Sequence, residues 1–376
     1  MSGAESGPRP GREPAAAARA ELVRQLREGG HLADPRWRAA FEEVPRHLFV
    51  PYFFVATARG YQRLSGSDDD PERRARWLAG VYADMALATC MRDGELVSSS
   101  SQPSLMAMML EDLRVEEREG ADSGCRVLEI GTGTGYNAAL MAHRLGADRV
   151  TTVDLDEEIT GPARDRLAAA GYRPAVVTGD GALGRPERAP YDRIIATCAL
   201  PSVPTAWIEQ CTAGALILAP LATGLIALRV SEPEAVRAEG RFLATPAYFV
   251  PLRAPIRTHS HDHGNGNGNG NGNGNGNGNG NGHSHGYSHG RTDSAPVGGR
   301  RRAPRDVLPR DVLRDDRFHF LWSLAAGSLT LDEILGLWRR EGHPHRERFG
   351  VTVDGAEQYA WLDAPGGPHR WPLGGG

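Results

Sequence analysis

An α/β fold built on a mostly parallel, Rossmann-like sheet is the class that this 376-residue sequence predicts. Three observations carry that expectation. From Arg126 onward, short apolar runs alternate with helical patterns. Behind the first run lies a glycine-rich turn, in "VLEIGTGTGYNAAL". Acids then follow the second and third runs, in "VTTVDLD" and "VVTGDGA". Strand–helix alternation over such a length argues for parallel strands covered on both faces. Sheets of that kind bind ligands beyond the carboxyl ends of their strands.

The elements follow in order. Helical patterns are expected over 20–28 and 35–44, with an extended apolar link, "VPRHLFVPYFF", behind them. A charged loop, "SGSDDDPERR", precedes "SSSSQPSLMAMMLEDL", where Leu105, Met106, Met109, Leu110 and Leu113 fall at helical spacing behind serines suited to capping. The strands are then "RVLEI", "RVTTVD", "AVVT", "YDRIIAT", "ALILAPL" and "LIALRV", with helices near 136–145, 157–170 and 205–210. Near the C-terminus "DDRFHFLWSLAAGSLTLDEILGLWRREG" reads as helical. "RFGVTVDGAEQYAWLD" reads as a hairpin turning at Asp354-Gly355.

Composition sets the boundaries of function. The net charge is -4, which points to neither a nucleic-acid nor a membrane surface. Cys90, Cys125, Cys198 and Cys211 lie far apart without metal-ligand spacing, so no metal site is expected and the chain reads as cytoplasmic. The N-terminal segment has no apolar core of the kind a signal peptide needs. The most apolar stretch, "AGALILAPLATGLIALRV", is broken by Pro220 and Gly224 and reads as two strands and a turn. Four segments emerge: a disordered N-terminus over 1–18, a catalytic domain over 19–257, a Gly/Asn/His-rich flexible linker over 258–303 and a small α+β module over 304–376. The linker histidines read as repeat drift rather than metal ligands, and Trp322, Trp338, Trp361 and Trp371 as core of the module rather than a peptide-binding face.

The glycine turn names the ligand class. A nicotinamide fingerprint would read GxGxxG, but here the third glycine comes one residue early and Tyr136 occupies the required position. The phosphate loop GxxxxGK[ST] is absent as well. What remains is ExGxGxG, the loop of class I S-adenosylmethionine methyltransferases, with S-adenosyl-L-methionine as cofactor. Asp154 stands where a carboxylate can accept both ribose hydroxyls, and Asp180 where one can reach the adenine amino group.

A run of motifs then resembles a family. "VPRHLFVP", "SSSSQPSLMAMMLEDL", "VLEIGTGTGYNAAL", "GDGALG", "APYDRIIATCALPSVPTAWIEQ" and "AYFVPLR" stand in the order found in protein-L-isoaspartate O-methyltransferases, over about residues 35–257. The resemblance implies that Ser101 lies beside the substrate carboxylate, with Ser99, Ser100, Gln102, Pro103 and Ala199 also facing substrate. It implies a cofactor site formed by Glu129, Gly131, Thr132, Gly133, Gly135, Asp154, Leu155, Asp180, Gly181 and Thr197. An ionised carboxylate needs no strong base to attack a sulfonium methyl, so such a site orients and excludes water. Ser101 also suits a helix N-cap, since Gln102-Pro103 fits a first turn, and both roles can hold.

The segment before Ser101 and the C-terminal module depart from the repair enzymes. They look similar to the methyltransferases that accompany ATP-grasp peptide maturases in graspetide pathways. That likeness implies methylation of an ordinary aspartate in a precursor peptide already crosslinked by an ATP-grasp ligase, the ester then closing to an aspartimide. The competing readings are isoaspartate repair, small-molecule O-methylation and a non-catalytic binding protein.

Overall fold

The computed structural model describes residues 12–58, 60–115, 124–255, 308–309 and 312–374. Helix α1 (Arg12–Glu28) begins well before the expected position and takes in part of the segment read as disordered. Its alanines favour helix, and Ala15 already packs into the core. Helix α2 (Pro35–Glu43) starts on a proline, with the Asp34 carboxylate accepting from the Arg36 and Trp37 amides. The expected extended link is partly a helical turn, α3 (Arg46–Phe49). That turn brings Arg46 and Phe49, three residues apart and both fully buried, to one side.

Strands β1 (Tyr52–Thr57) and β2 (Gly60–Ser65) form a hairpin, followed by α4 (Pro71–Val81), which Asp70 caps. Then come β3 (Leu87–Arg92) and β4 (Glu95–Ser100). Together they make a four-stranded sheet in the order β2-β1-β3-β4. Helix α5 (Pro103–Asp112) follows directly.

The α/β region supplies β5 (Val127–Ile130), α6 (Tyr136–Leu145), β6 (Val150–Asp154), α7 (Glu157–Ala169), β7 (Ala175–Thr178), β8 (Tyr191–Ala196), α8 (Thr205–Glu209), β9 (Cys211–Leu221), β10 (Gly224–Glu232) and β11 (Arg237–Pro246). The C-terminal segment supplies α9 (Asp316–Ala325), α10 (Leu331–Arg340), β12 (Phe349–Asp354), β13 (Glu357–Leu362) and β14 (Arg370–Pro372). All ten strands from β5 on lie in one sheet, ordered β14-β13-β12-β11-β10-β9-β8-β5-β6-β7. The pairings from β7 through β6, β5 and β8 to β9 are parallel. This is the expected Rossmann-like unit, and the order in which strands are added reverses between β5 and β8. Beyond β9 the sheet continues antiparallel to β14.

Adjacent residues of the central strands enter opposite cores. Val127, Ile195, Leu218 and Leu225 pack with α1, α2, α5 and α6. Leu128, Ile194, Ile217 and Ile226 pack on the other face with α8, α9 and α10. The C-terminal segment is α+β, but it does not form a core of its own. Phe318, Phe320, Leu321, Leu324, Ile334, Leu337 and Trp338 belong to the same core as β8–β10, and β12 pairs with β11. Trp338 and Trp371 are buried there, and Trp361 is buried on the opposite side of β13. The histidines of 258–303 lie outside the described residues. No helix among the described residues is long and apolar enough to cross a membrane, and no metal-ligand cluster is found among them.

Candidate active site

The glycine turn links β5 to α6 at the switch point. Gly131, Gly133 and Gly135 have φ of 101°, 51° and 86°, a left-handed region that side chains rarely adopt. Their neighbours differ. A Cβ on Gly131 would lie 2.5 Å from the Thr197 Oγ1, and one on Gly133 would lie 3.4 Å from the Ser99 carbonyl oxygen. A Cβ on Gly135 would instead meet Leu167 and Ala163 of α7. Gly135, expected at the cofactor, is therefore a helix-packing glycine and does not line the cavity. The Thr197 hydroxyl donates to the Gly131 carbonyl at 2.8 Å, tying β8 to the turn.

A cavity of about 740 Å³, including solvent space at its mouth, opens above these strand ends. Of the expected residues, Ser99, Ser100, Ser101, Glu129, Gly131, Thr132, Gly133, Asp154, Leu155, Gly181 and Thr197 line it together. Glu129 is fully buried and accepts from Asn137 Nδ2 at 2.8 Å and Thr152 Oγ1 at 2.6 Å. Burial pushes its carboxyl up to about 7, against those hydrogen bonds. Asp154 ends β6. Its carboxylate accepts from the Gly133 amide at 3.1 Å, the Leu155 amide at 2.9 Å and Arg253 Nη2 at 3.1 Å. Burial raises its carboxyl above the usual range, opposed by the Gly133 amide and Arg253. Burial also pushes the Cys198 thiol in the cavity wall up to about 12, so the site holds no thiolate nucleophile at neutral pH.

The serine loop closes one side. Gln102 occupies the N-cap position of α5 without a side-chain cap. The helix start is served by Asp84, whose carboxylate accepts from the Ser104 amide at 2.8 Å and from Gln102 Nε2 at 3.2 Å. Ser101 is therefore not the helix cap, and its hydroxyl has no hydrogen-bond partner among the described residues. From beneath, Arg46 donates to the Ser101 carbonyl at 2.9 Å and to the Ser100 hydroxyl at 3.2 Å.

Four further expected residues lie outside the cavity lining. Asp180 caps its own turn through the Ala182 amide at 2.9 Å, beside Gly181. Gln102 reaches Asp84, and Pro103 begins α5. The Ala199 backbone pairs with Val250 and Leu252 and so anchors the 250–253 wall. Sequence reasoning missed that wall, with Arg253, and it missed Arg46 and Asp84. Arg46 and the wall stand within quoted motifs, "VPRHLFVP" and "AYFVPLR". Only the tertiary return of those segments shows what they reach.

The parallel strands, the positive-φ glycine cradle and the acid at the end of β6 define a class I S-adenosylmethionine-dependent methyltransferase. The residues fit that donor, because the cradle is backbone that a Cβ would fill and Asp154 offers a carboxylate in the cavity. Residues 73–252 match the protein-L-isoaspartate(D-aspartate) O-methyltransferase (PCMT) family model. The chain is 36% identical over 211 residues to the protein-L-isoaspartate O-methyltransferase of Methanoculleus marisnigri, covering 56% of this chain and 79% of that protein. It is 40% identical over 146 residues to the protein-L-isoaspartate O-methyltransferase of Thermotoga maritima, covering 38% of this chain and 44% of that one. A solved protein-L-isoaspartate O-methyltransferase aligns with TM-score 0.49 and 29% identity, over 63% of this chain and 66% of that chain. The chain belongs to the protein-L-isoaspartate O-methyltransferase family. It is a carboxyl O-methyltransferase that uses S-adenosyl-L-methionine.

Proposed function

We propose that this enzyme methylates one aspartate side chain in a ribosomally made precursor peptide already crosslinked by an ATP-grasp ligase, and that the ester then closes to an aspartimide. The observation that carries the reading is what adjoins the serine loop. Strands β1 and β2 lie before residue 73, outside the family match, yet share a sheet with β3 and β4, and β4 runs straight into Ser99–Ser101. The C-terminal segment, also outside the match, meets the stretch that leads into the 250–253 wall, where Tyr248 donates to Asp316. Surface beyond the family model's match beside a site suits an enzyme that must reject most aspartates. Every aspartate side chain is alike, so discrimination comes from contacts remote from the reacting oxygen. A crosslinked peptide has already lost much of its conformational freedom, so binding it costs less.

The chain's own groups have distinct tasks. Asp154 accepts hydrogen bonds from the donor's ribose hydroxyls, and Gly131 and Gly133 let the backbone approach it. When bound, S-adenosyl-L-methionine supplies an electrophilic methyl group. The Ser101 hydroxyl donates to one oxygen of the substrate carboxylate and leaves the other free to attack. No base is required, because that carboxyl is already ionised at neutral pH. In the closure, the following backbone nitrogen attacks the ester carbonyl, and methanol leaves with the amide proton.

Isoaspartate repair is the second reading, favoured by the relatives, which carry that name. The deciding experiment offers the enzyme a crosslinked precursor, its linear form and a generic isoaspartyl peptide. Mass spectrometry should show the crosslinked precursor gaining a methyl group and then losing methanol, with the linear form nearly unreacted. Preferential turnover of the isoaspartyl peptide returns the protein to repair. Ser101→Ala should slow transfer while S-adenosylhomocysteine affinity stays nearly unchanged.

A further inference from the structure

Arg46 is fully buried, and no carboxylate lies within ion-pair distance of it among the described residues. Its guanidinium donates to the carbonyls of Val81 at 2.9 Å and Ser101 at 2.9 Å and to the Ser100 hydroxyl at 3.2 Å, while its Nε has no partner. Asp84, whose carboxylate accepts from Gln102 and Ser104, favours the Arg46 charge from a distance but makes no ion pair with it. The remaining groups around it are Tyr136, whose ring lies 5.9 Å away, and Tyr82. Neither phenol is an anion at neutral pH, and burial raises both.

A buried cation without an ion-pair partner is costly. Clamping a loop by its carbonyls requires donors, but it does not require a charge. Here the charge sits directly behind the two serines that line the cavity. We infer that Arg46 is a positioning residue whose buried charge makes the Ser100–Ser101 turn selective for an anionic side chain, the substrate carboxylate supplying a close negative partner where the fold provides only the more distant Asp84. The inference rests on the reading that Ser101 receives that carboxylate. Burial draws the guanidinium down to about 10, so it remains a cation throughout the neutral range.

The test measures binding of short peptides to the S-adenosylhomocysteine-bound protein by calorimetry. Two pairs are used: an aspartyl peptide with its asparaginyl isostere, and an isoaspartyl peptide with its isoasparaginyl isostere. The unmutated protein should bind the acid of at least one pair about tenfold tighter than the amide, a ratio within reach of one charge pair in a partly buried setting. Arg46→Gln should bring that ratio close to one, whereas loss of loop shape alone weakens acid and amide alike. Arg46→Lys should keep most of the preference while lowering kcat, because the charge stays and the fork of hydrogen bonds is lost. An unmutated protein that does not distinguish acid from amide removes the carboxylate reading of Ser101 itself. An Arg46→Gln protein that still binds S-adenosylhomocysteine and still prefers the acid overturns the inference alone. If that variant does not fold, Arg46→Lys decides: cofactor binding without acid preference overturns it.

Discussion

Asp154 stands at the end of β6 with three donors on its carboxylate, two of them backbone amides. Those amides fix the carboxylate's direction, which suits the proposed role of accepting the ribose hydroxyls without rearrangement. Asp154→Ala is expected to weaken S-adenosylhomocysteine binding by about 1.5–3 kcal/mol, as read by calorimetry. Glu129 gives a pH signature. In the unfolded chain it loses its proton near its ordinary value of 4.5, and in the native state near 7. Between those values the native state binds more protons, so this residue makes stability fall as pH rises and then level off. Tm recorded from about pH 5 to about pH 8 should show that decline, and Glu129→Gln should flatten it. At this scale the sequence was informative where chemistry and strand ends coincide, at Glu129, Gly131, Gly133, Asp154 and Ser101. It was silent on Arg253 and Asp84, whose contacts with Asp154 and Ser104 depend on segments meeting only after folding.

The contact between β11 and β12 is closed by two glycines and one indole. A Cβ on Gly350 would lie 2.2 Å from the Trp361 ring and 2.5 Å from the Gly240 carbonyl, and one on Gly240 would lie 1.8 Å from the Ala227 carbonyl. Trp361 lies flat across this gap, its Nε1 donating to Thr352 at 3.0 Å and Arg241 stacked 4.7 Å from its ring. Gly350→Ala should therefore cost about 1–3 kcal/mol by overpacking, measurable by denaturant unfolding. Unchanged stability would mean that the indole can move aside. Helix α6 and the hairpin at Asp354-Gly355 were legible, because a glycine turn and an Asp-Gly turn are local signals. Strand β11 was not. Its fully buried residues, Ala238 and Phe242, are four apart, which is as compatible with a helix as with a strand. Strand β1 shows no period-two burial either.

Two cores lie on opposite faces of the ten-stranded sheet, and one of them joins the C-terminal segment to β8–β10. Phe242 of β11 meets Phe320 of α9 at 4.8 Å, and Phe320 meets Phe349 of β12 at 5.3 Å. A chain ending at Pro255 would expose Leu228, Val230, Ala238 and Phe242. It should fail to show the single sharp transition expected of the full chain by calorimetry. The parallel unit was legible from alternation alone. The unity of the sheet was not, because a low-complexity stretch over 258–303 suggests separation and strand pairing across it leaves no local trace. Strand β14 carries one more consequence. It is three residues long, its Pro372 offers no amide, and Arg370 lies over Tyr359 at 3.8 Å. It covers β13, whose "EQYAWL" would otherwise present a half-apolar row of open backbone groups to any similar strand. This short strand is thus a guard against self-association, and a chain lacking it would meet its own copies edge to edge.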